Sequence, residues 1–259
     1  IIGLGTVLGP SLGGILLSLN VWRFIFWINV PFTIIGIICN HYLLNKVSEQ
    51  TNSQKLDTSG TIVNAIMLIC LLLGLLLSKS HLQIISLILI IISLLIGILF
   101  YRIEFIQKNP LVNVKGLKEN SKVISYLLQT IAFGFASAMI FLLPPFIFEQ
   151  LYHLGVGVTG FLVLGAPAGL VIFSRVSGKL NDGSKNITFS RLGLGIICLS
   201  LIFLVFLNPK WSYLFLTFGL FIYGVGGGYF QPANIASIMQ ASPMEMQGST
   251  GALQRMVQN

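Results

Sequence analysis

Charge is what this sequence has least of. Asp, Glu, Lys and Arg make up 8% of its 259 residues, about a third of the share in an ordinary soluble domain. Hydrophobic residues make up 55% and the mean hydropathy is +0.90. So much apolar surface does not fit inside one aqueous core, which excludes a water-soluble domain and points to an integral membrane protein. Acids are scarcest, seven against fifteen Lys and Arg, and none stands in the middle of an apolar run. Cysteine is almost absent. Cys39, Cys70 and Cys198 lie in apolar runs at unrelated spacings and read as small packing residues, with no support for a disulfide framework or a metal site. His41, His81 and His153 stand near the ends of runs, at spacings useless for a shared metal. Long polar stretches are missing too. The segments 45–58 and 102–122 are too short to be a soluble module, and no catalytic cluster is visible, which argues against a membrane-embedded enzyme. Position 1 is not Met and already lies in an apolar run, so the chain reads as an internal piece of a longer one, and no signal peptide is legible.

What is present is a series of apolar runs of about 20 residues, the length that crosses a bilayer as a helix. They fall at 1–19, 24–44, 59–78, 82–101, 123–148, 155–176, 190–208 and 211–240, and a ninth begins near 248. The fifth and eighth are overlong and contain Pro144-Pro145 and Gly226-Gly227-Gly228 with Pro232, which predicts kinked or tilted helices. The net charge of +8 follows the same weave. Connecting segments on one side hold Lys46, Lys55, Arg102, Lys108, Lys115, Lys118, Lys122, Arg175, Lys179, Lys185, Arg191 and Arg255, while the other side holds Arg23, Lys79 and Lys210. By the positive-inside bias the first side is cytoplasmic. The basic excess is therefore topological and argues against a nucleic-acid partner. Trp22, Trp27 and Trp211 fall near the outer ends of runs, at the headgroup layer that amphipathic rings favour.

The stretch "GLGTVLGPSLGG", residues 3–14, spaces Gly5, Gly9 and Gly13 four apart, with Pro10 after the middle one and Gly14 after the last. On a helix this makes a groove of small residues on one face, and Pro10, which cannot donate to Thr6, bends it. The combination is far more specific than GxxxG alone.

These residues carry a resemblance. The stretch resembles the antiporter motif in the fifth span of major facilitator exporters. "WRFIFWINVP", residues 22–31, is similar to a block of the fourteen-span drug:proton antiporters, with Phe24 where Trp is usual. "LDTSG" (56–60), "NPLVNV" (109–114) and "GFLVLGAPAGLVIFSRVSGKLND" (160–182) resemble that family's entrance to span seven, the stretch before span nine, and span ten with its loop. The resemblance covers almost the whole chain, in order. It implies an all-α, polytopic membrane helix bundle of the major facilitator type, with residues 1–44 as the last two helices of the N-terminal half. Residues 45–122 are cytoplasmic segments plus an inserted, lipid-facing helix pair, 59–78 and 82–101. Residues 123–259 form an incomplete C-terminal half. The implied function is proton-coupled export of amphiphilic or cationic drugs across a bacterial plasma membrane by alternating access, by a monomer. It needs no cofactor beyond the proton gradient. Its partners are drugs, protons and the lipid bilayer. The alternatives are an importer or symporter of the same superfamily, or a piece with no activity by itself.

Candidate residues follow from both readings. Gly5, Gly9, Pro10, Gly13 and Gly14 serve packing and bending. Asp57 precedes a helix start, as a capping carboxylate does, and a gating contact is the alternative. Asp182 belongs to a loop resembling the superfamily's cytoplasmic latch, with Gly183 where Arg is expected, so it is a gating residue or simply a cap. Arg23, in the outer turn, meets either acids on a neighbouring loop or headgroups. Asn64, the strongly polar residue inside the inserted pair, is expected to hydrogen-bond between helices. A drug cavity needs aromatic walls and a few polar groups. Phe133, Phe135, Phe141, Tyr223, Tyr229 and Phe230 are candidates, with Gln129, Gln231, Asn234 and Glu149 as polar partners; packing or lipid contact is the competing reading for each ring. By resemblance, the acid and the base of proton coupling lie largely in spans this chain does not contain.

Overall fold

The computed structural model describes residues 23–44, 57–79, 82–107, 114–208 and 210–258, with Gly13, Leu16, Leu19 and Val21 before them. Among these, seven helical spans, two of them interrupted, are long and apolar enough to cross a membrane. The chain divides into two compact units. One comprises Ile1–Gln50, Tyr126–Ile238 and Val257–Asn259, and the other Thr51–Ser125 and Met239–Met256.

The expected span 24–44 is two helices, α1 (Phe24–Trp27) and α2 (Asn29–Leu44), separated at Ile28. Pro31 explains the break: it has no N–H to return to Trp27, and it is tolerated because it stands in the first turn of α2. Among the described side chains of these two helices none is buried, and Trp27 and Phe32 are among many exposed apolar residues.

In the second unit, α3 (Thr58–Leu77) and α4 (Gln83–Ile106) form a helical hairpin. Asp57 starts α3, its Oδ1 accepting from the Gly60 N–H at 2.8 Å and the Ser59 hydroxyl at 2.7 Å. Hydrogen bonds and close packing lock the two helices together where water offers no help. Ser86 Oγ donates to Gly74 O at 2.7 Å and Ser93 Oγ to Met67 O at 2.9 Å. A side chain on Gly74 would meet Ile90 Cγ1 at 2.7 Å. Those serines, not Asn64, bridge the pair. Asn64 Oδ1 is buried and accepts no hydrogen bond among the described residues, which corrects the expected role. The remaining Leu and Ile side chains are largely exposed.

Helix α4 also runs five residues past its expected end. Ile103 and Ile106 continue the apolar period, so Tyr101–Ile106 stay helical, and Glu104 is buried at 1% exposure rather than lying in a loop. A short helix, α5 (Val114–Glu119), follows.

Helix α6 (Ser121–Phe146) carries Pro144 and Pro145 in its last turn and passes into a π-helical turn, Ile147–Leu151. The proline nitrogens leave Ile140 and Phe141 carbonyls without their helical donors, and the ladder then widens, as the Tyr152 N–H donating to Ile147 O at 3.3 Å shows. The expected span 155–176 is α7 (Val156–Leu162) and α8 (Gly165–Leu180), interrupted at Val163-Leu164. Pro167 cannot donate to Val163, and the chain restarts its helix there. Helices α9 (Asn186–Val205) and α10 (Tyr213–Ala241) complete the unit, and α11 (Gln247–Gln258) is a polar helix where a ninth run was expected to begin.

The core of the first unit gathers Phe133, Ile140, Phe148, Leu162, Leu220, Tyr223 and Phe230. Its most buried helix is α10, whose glycines let three neighbours approach closely. Side chains on Gly224 and Gly228 would strike the α8 backbone at Ala166 and Leu170 and at Ser174, the last at 2.7 Å. Gly165 and Gly169 face back onto Thr217, Phe221 and Val225. A side chain on Gly226 would lie 2.8 Å from Gly193 O on α9, where Ser200 Oγ also donates to Gly219 O at 2.8 Å. A side chain on Gly227 would lie 3.4 Å from the Phe133 ring of α6. The glycines thus divide among three neighbours, two against α8 and one each against α9 and α6, and α10 lies backbone to backbone on α8 and α9.

Candidate functional site

Gly5, Gly9, Pro10 and Gly14 lie outside the described residues. Gly13 is helical, and a Cβ there would meet nothing within 4 Å. The candidates that come together stand where α6 faces α10 within the first unit.

Helical spacing decides which residues share that seam. Gln129, Thr130, Phe133 and Ser137 recur along α6, and Tyr223, Gly227, Phe230 and Asn234 recur along α10. Phe133 stacks on Tyr223 with centroids 6.3 Å apart and planes 3° apart, and tilts against Phe230 at 5.0 Å. The Tyr223 and Ser137 hydroxyls are 2.7 Å apart. One turn further along, Asn234 Nδ2 donates to Thr130 Oγ1 at 2.7 Å and to Tyr126 O at 3.3 Å. Asn234 Oδ1 and Ser237 Oγ are buried and have no hydrogen-bond partner among the described residues. Ser190 Oγ of α9 donates to Gln129 Oε1 at 3.2 Å. The seam therefore combines three aromatic faces, an amide pair and hydroxyls, and none of its side chains is ionisable near neutral pH. Chemically it offers stacking surfaces and hydrogen bonds.

The other candidates are dispersed. Tyr229 packs between Phe173 and Phe189, 5.8 Å from each ring. Phe141 and Phe135 are exposed. Gln231 is half-buried, and Glu149 lies half-buried in the π-helical turn. Arg23 is exposed in the turn before α1, where its carbonyl accepts from the Phe26 N–H at 3.1 Å.

Asp182 sits in the connection from α8 to α9. Its Oδ1 accepts from the Ser184 hydroxyl at 2.6 Å and the Ser184 N–H at 3.0 Å. Those two hydrogen bonds hold its carboxyl below the usual value of 3.8. Gly183 has φ 90°, backbone that an Arg there would adopt only under strain. Sequence reasoning noted the missing Arg; the turn supplies its cause. Sequence reasoning missed Thr130, Ser137 and Ser190, the hydroxyls that engage its own candidates. Their signal was spacing: each stands three to four residues from an aromatic or amide on the same face, or opposite one on a neighbouring helix.

Comparison with known proteins agrees with the motifs. The Major Facilitator Superfamily model matches residues 1–259. The riboflavin transporter RibZ of Clostridioides difficile (strain 630) is 26% identical over 261 residues, 100% of this chain and 56% of that protein. Multidrug resistance protein 3 of Bacillus subtilis (strain 168) is 25% identical over 236 residues, covering 88% of this chain and 45% of that protein. The putative multidrug resistance protein MdtD of Citrobacter koseri is 28% identical over 271 residues, covering 98% of this chain and 54% of that protein. The chain spans about half the length of the curated relatives it matches. With seven membrane-capable helices and a family match along its full length, this chain belongs to the Major Facilitator Superfamily, a family of multi-pass membrane transporters.

Proposed function

We propose that the protein of this chain exports flat amphiphilic compounds, neutral or cationic, by proton-coupled alternating access. The observation that carries the reading is the α6–α10 seam: aromatic faces next to an amide oxygen, Asn234 Oδ1, buried without a partner among the described residues. An aromatic face binds a flat or cationic solute with little geometric demand, and an unengaged acceptor orients one donor group on it. The rings pack on each other in this conformation and would separate as the site opens. Two of the similar proteins are named for multidrug resistance, and the "GLGTVLGPSLGG" stretch supports the exporting direction by resemblance. In such a mechanism two helical halves rock about the site and expose it to each side in turn. Gly5, Gly9 and Gly13 would let their helix pack on its partner, and the bend at Pro10 would shape the cavity wall. The likeness to a riboflavin transporter favours a second reading, in which a flat polycyclic solute is taken up.

The test is dye movement in pump-deficient bacteria expressing the protein. Ethidium loss that stops when a protonophore collapses the proton gradient supports export, and Gly9→Leu should then abolish it while leaving membrane insertion intact. Accumulation of flavin against vector controls, with no dye loss, supports uptake. Full activity of Gly9→Leu removes the packing role of that helix.

A further inference from the structure

The inserted hairpin carries a feature the transport reading does not use. Between α3 and α4 runs a groove of about 380 Å³, walled by Met67, Leu71, Leu94, Gly97, Ile98 and Tyr101, within the size range of small-ligand sites. The absent side chain of Gly97 makes its depth, since a Cβ there would touch only the Met67 sulfur, at 3.4 Å. Ser93, on the same wall, directs its hydroxyl to Met67 O, so the groove is apolar inside. Leu94, Ile98, Tyr101 and Phe105 recur at intervals of three and four on one face of α4. From Leu94 to Tyr101 the helix rises about 11 Å, most of the depth of one leaflet of a hydrocarbon core about 30 Å thick.

One end of this apolar track is basic. Tyr101 stacks on Phe105 with centroids 6.3 Å apart, and the Lys115 ammonium lies 4.8 Å from the Phe105 centroid. An unbroken contact path thus leads from the groove wall to a cation. Arg102, Lys118 and Lys122 are exposed in the same compact unit, and Glu119 is the one exposed acid among its described side chains. By the positive-inside bias this end is cytoplasmic, the side whose leaflet carries anionic lipid.

We propose that the hairpin binds one anionic glycerophospholipid, with an acyl chain in the α3–α4 groove and its phosphate on Lys115. Charge and length both select this occupant. A protein helix in the groove would leave the basic end uncovered, and a free phosphate would leave the groove empty.

The experiment is native mass spectrometry of the detergent-purified protein, titrated with dioleoyl phosphatidylglycerol or dioleoyl phosphatidylcholine. The unmodified protein should bind the first phosphatidylglycerol at least about fivefold more tightly than phosphatidylcholine, as one cation near an anionic headgroup provides. Lys115→Gln should remove most of that preference, and Gly97→Leu, which fills the groove, should weaken binding of either lipid. Lys210→Gln, in the other compact unit, should leave binding unchanged, and size-exclusion profiles confirm that each variant is folded. Millimolar glycerol 3-phosphate should fail to displace the lipid. Equal binding of the two lipids by the unmodified protein overturns the proposal without any variant. Full displacement by glycerol 3-phosphate overturns it as well, because then only a headgroup is held. Unchanged binding in both Lys115→Gln and Gly97→Leu overturns it for these residues.

Discussion

Two glycines three positions apart on α10 should respond to alanine in opposite ways. At Gly224 the new methyl would collide with the Ala166 carbonyl oxygen and lie 2.9 Å from Leu170 N. Both are backbone atoms of α8 and have no rotamer to change, so the helices must separate along their line of contact. At Gly227 the same methyl would meet Leu170 Cδ1 and Phe133 Cε2 at 3.4 Å, side-chain atoms able to yield by a few tenths of an ångström. Overpacking costs about 1–3 kcal/mol, and Ala recovers about 1 kcal/mol over Gly through helix propensity. Gly224→Ala should therefore lose roughly 2 kcal/mol at the upper end of that range, and Gly227→Ala should be neutral or gain up to about 1 kcal/mol. For a chain of this size the gap corresponds to roughly 5–10 °C in melting temperature. The assay is loss of the monodisperse size-exclusion peak after heating in detergent, run on both variants and on Gly195→Ala, whose Cβ would meet nothing within 4 Å. If Gly224→Ala and Gly227→Ala melt within about 1 °C of each other, backbone contact between α8 and α10 is not what holds the bundle.

Three further outcomes are expected. Gly183→Ala should destabilise the connection between α8 and α9 by about 1 kcal/mol or more, because φ is 90° there; an unchanged thermal midpoint refutes the strain. Ser86→Ala and Ser93→Ala should each cost about 0.6–2 kcal/mol of hairpin stability, and Asn64→Leu should cost less than either, measured by detergent denaturation. Ser184→Ala should let Asp182 titrate nearer 3.8, since the lost hydroxyl hydrogen bond favours the ionised form while the backbone N–H remains. A carboxyl whose folded value is depressed lends its stabilisation above its ordinary value and loses it as pH falls through the folded one. In the unmodified protein the Asp182 carbon-13 resonance should therefore have its titration midpoint below 3.8, and identical titration in both proteins refutes the cause.

Much of the fold was legible because a bilayer imposes a simple rule. A run of about 20 apolar residues has one way to satisfy its backbone without water, so the runs from 24 to 240 reappear as helices with ends shifted by a few residues. The shifts have local causes. Pro31 and Pro167 withdraw donors and split two spans, while Ile103 and Ile106 carry α4 past its expected end. The family was legible too, since its motifs are ordered along the chain. The seam was only half legible. Phe133, Tyr223 and Asn234 were recognisable as aromatic and amide residues in glycine-rich helices, but their partners Ser137 and Thr130 are about a hundred positions away in sequence, and spacing on one helix says nothing about the rotation of another.

The sequence by itself determined that this is a multi-pass membrane protein of the major facilitator kind, and which end of each helix carries the cations. Composition and run length settle the membrane class and the side of the cations before any contact forms, and the family follows from the resemblance of its ordered motifs. The tertiary structure alone decided what each small residue is for. It assigned Gly224 and Gly228 to α8, Gly226 to α9 and Gly227 to Phe133, gave the hairpin's hydrogen bonds to Ser86 and Ser93 instead of Asn64, and buried Glu104. A glycine or serine in a membrane helix has no direction until a neighbouring backbone lies against it, and that approach depends on packing between segments far apart in the chain.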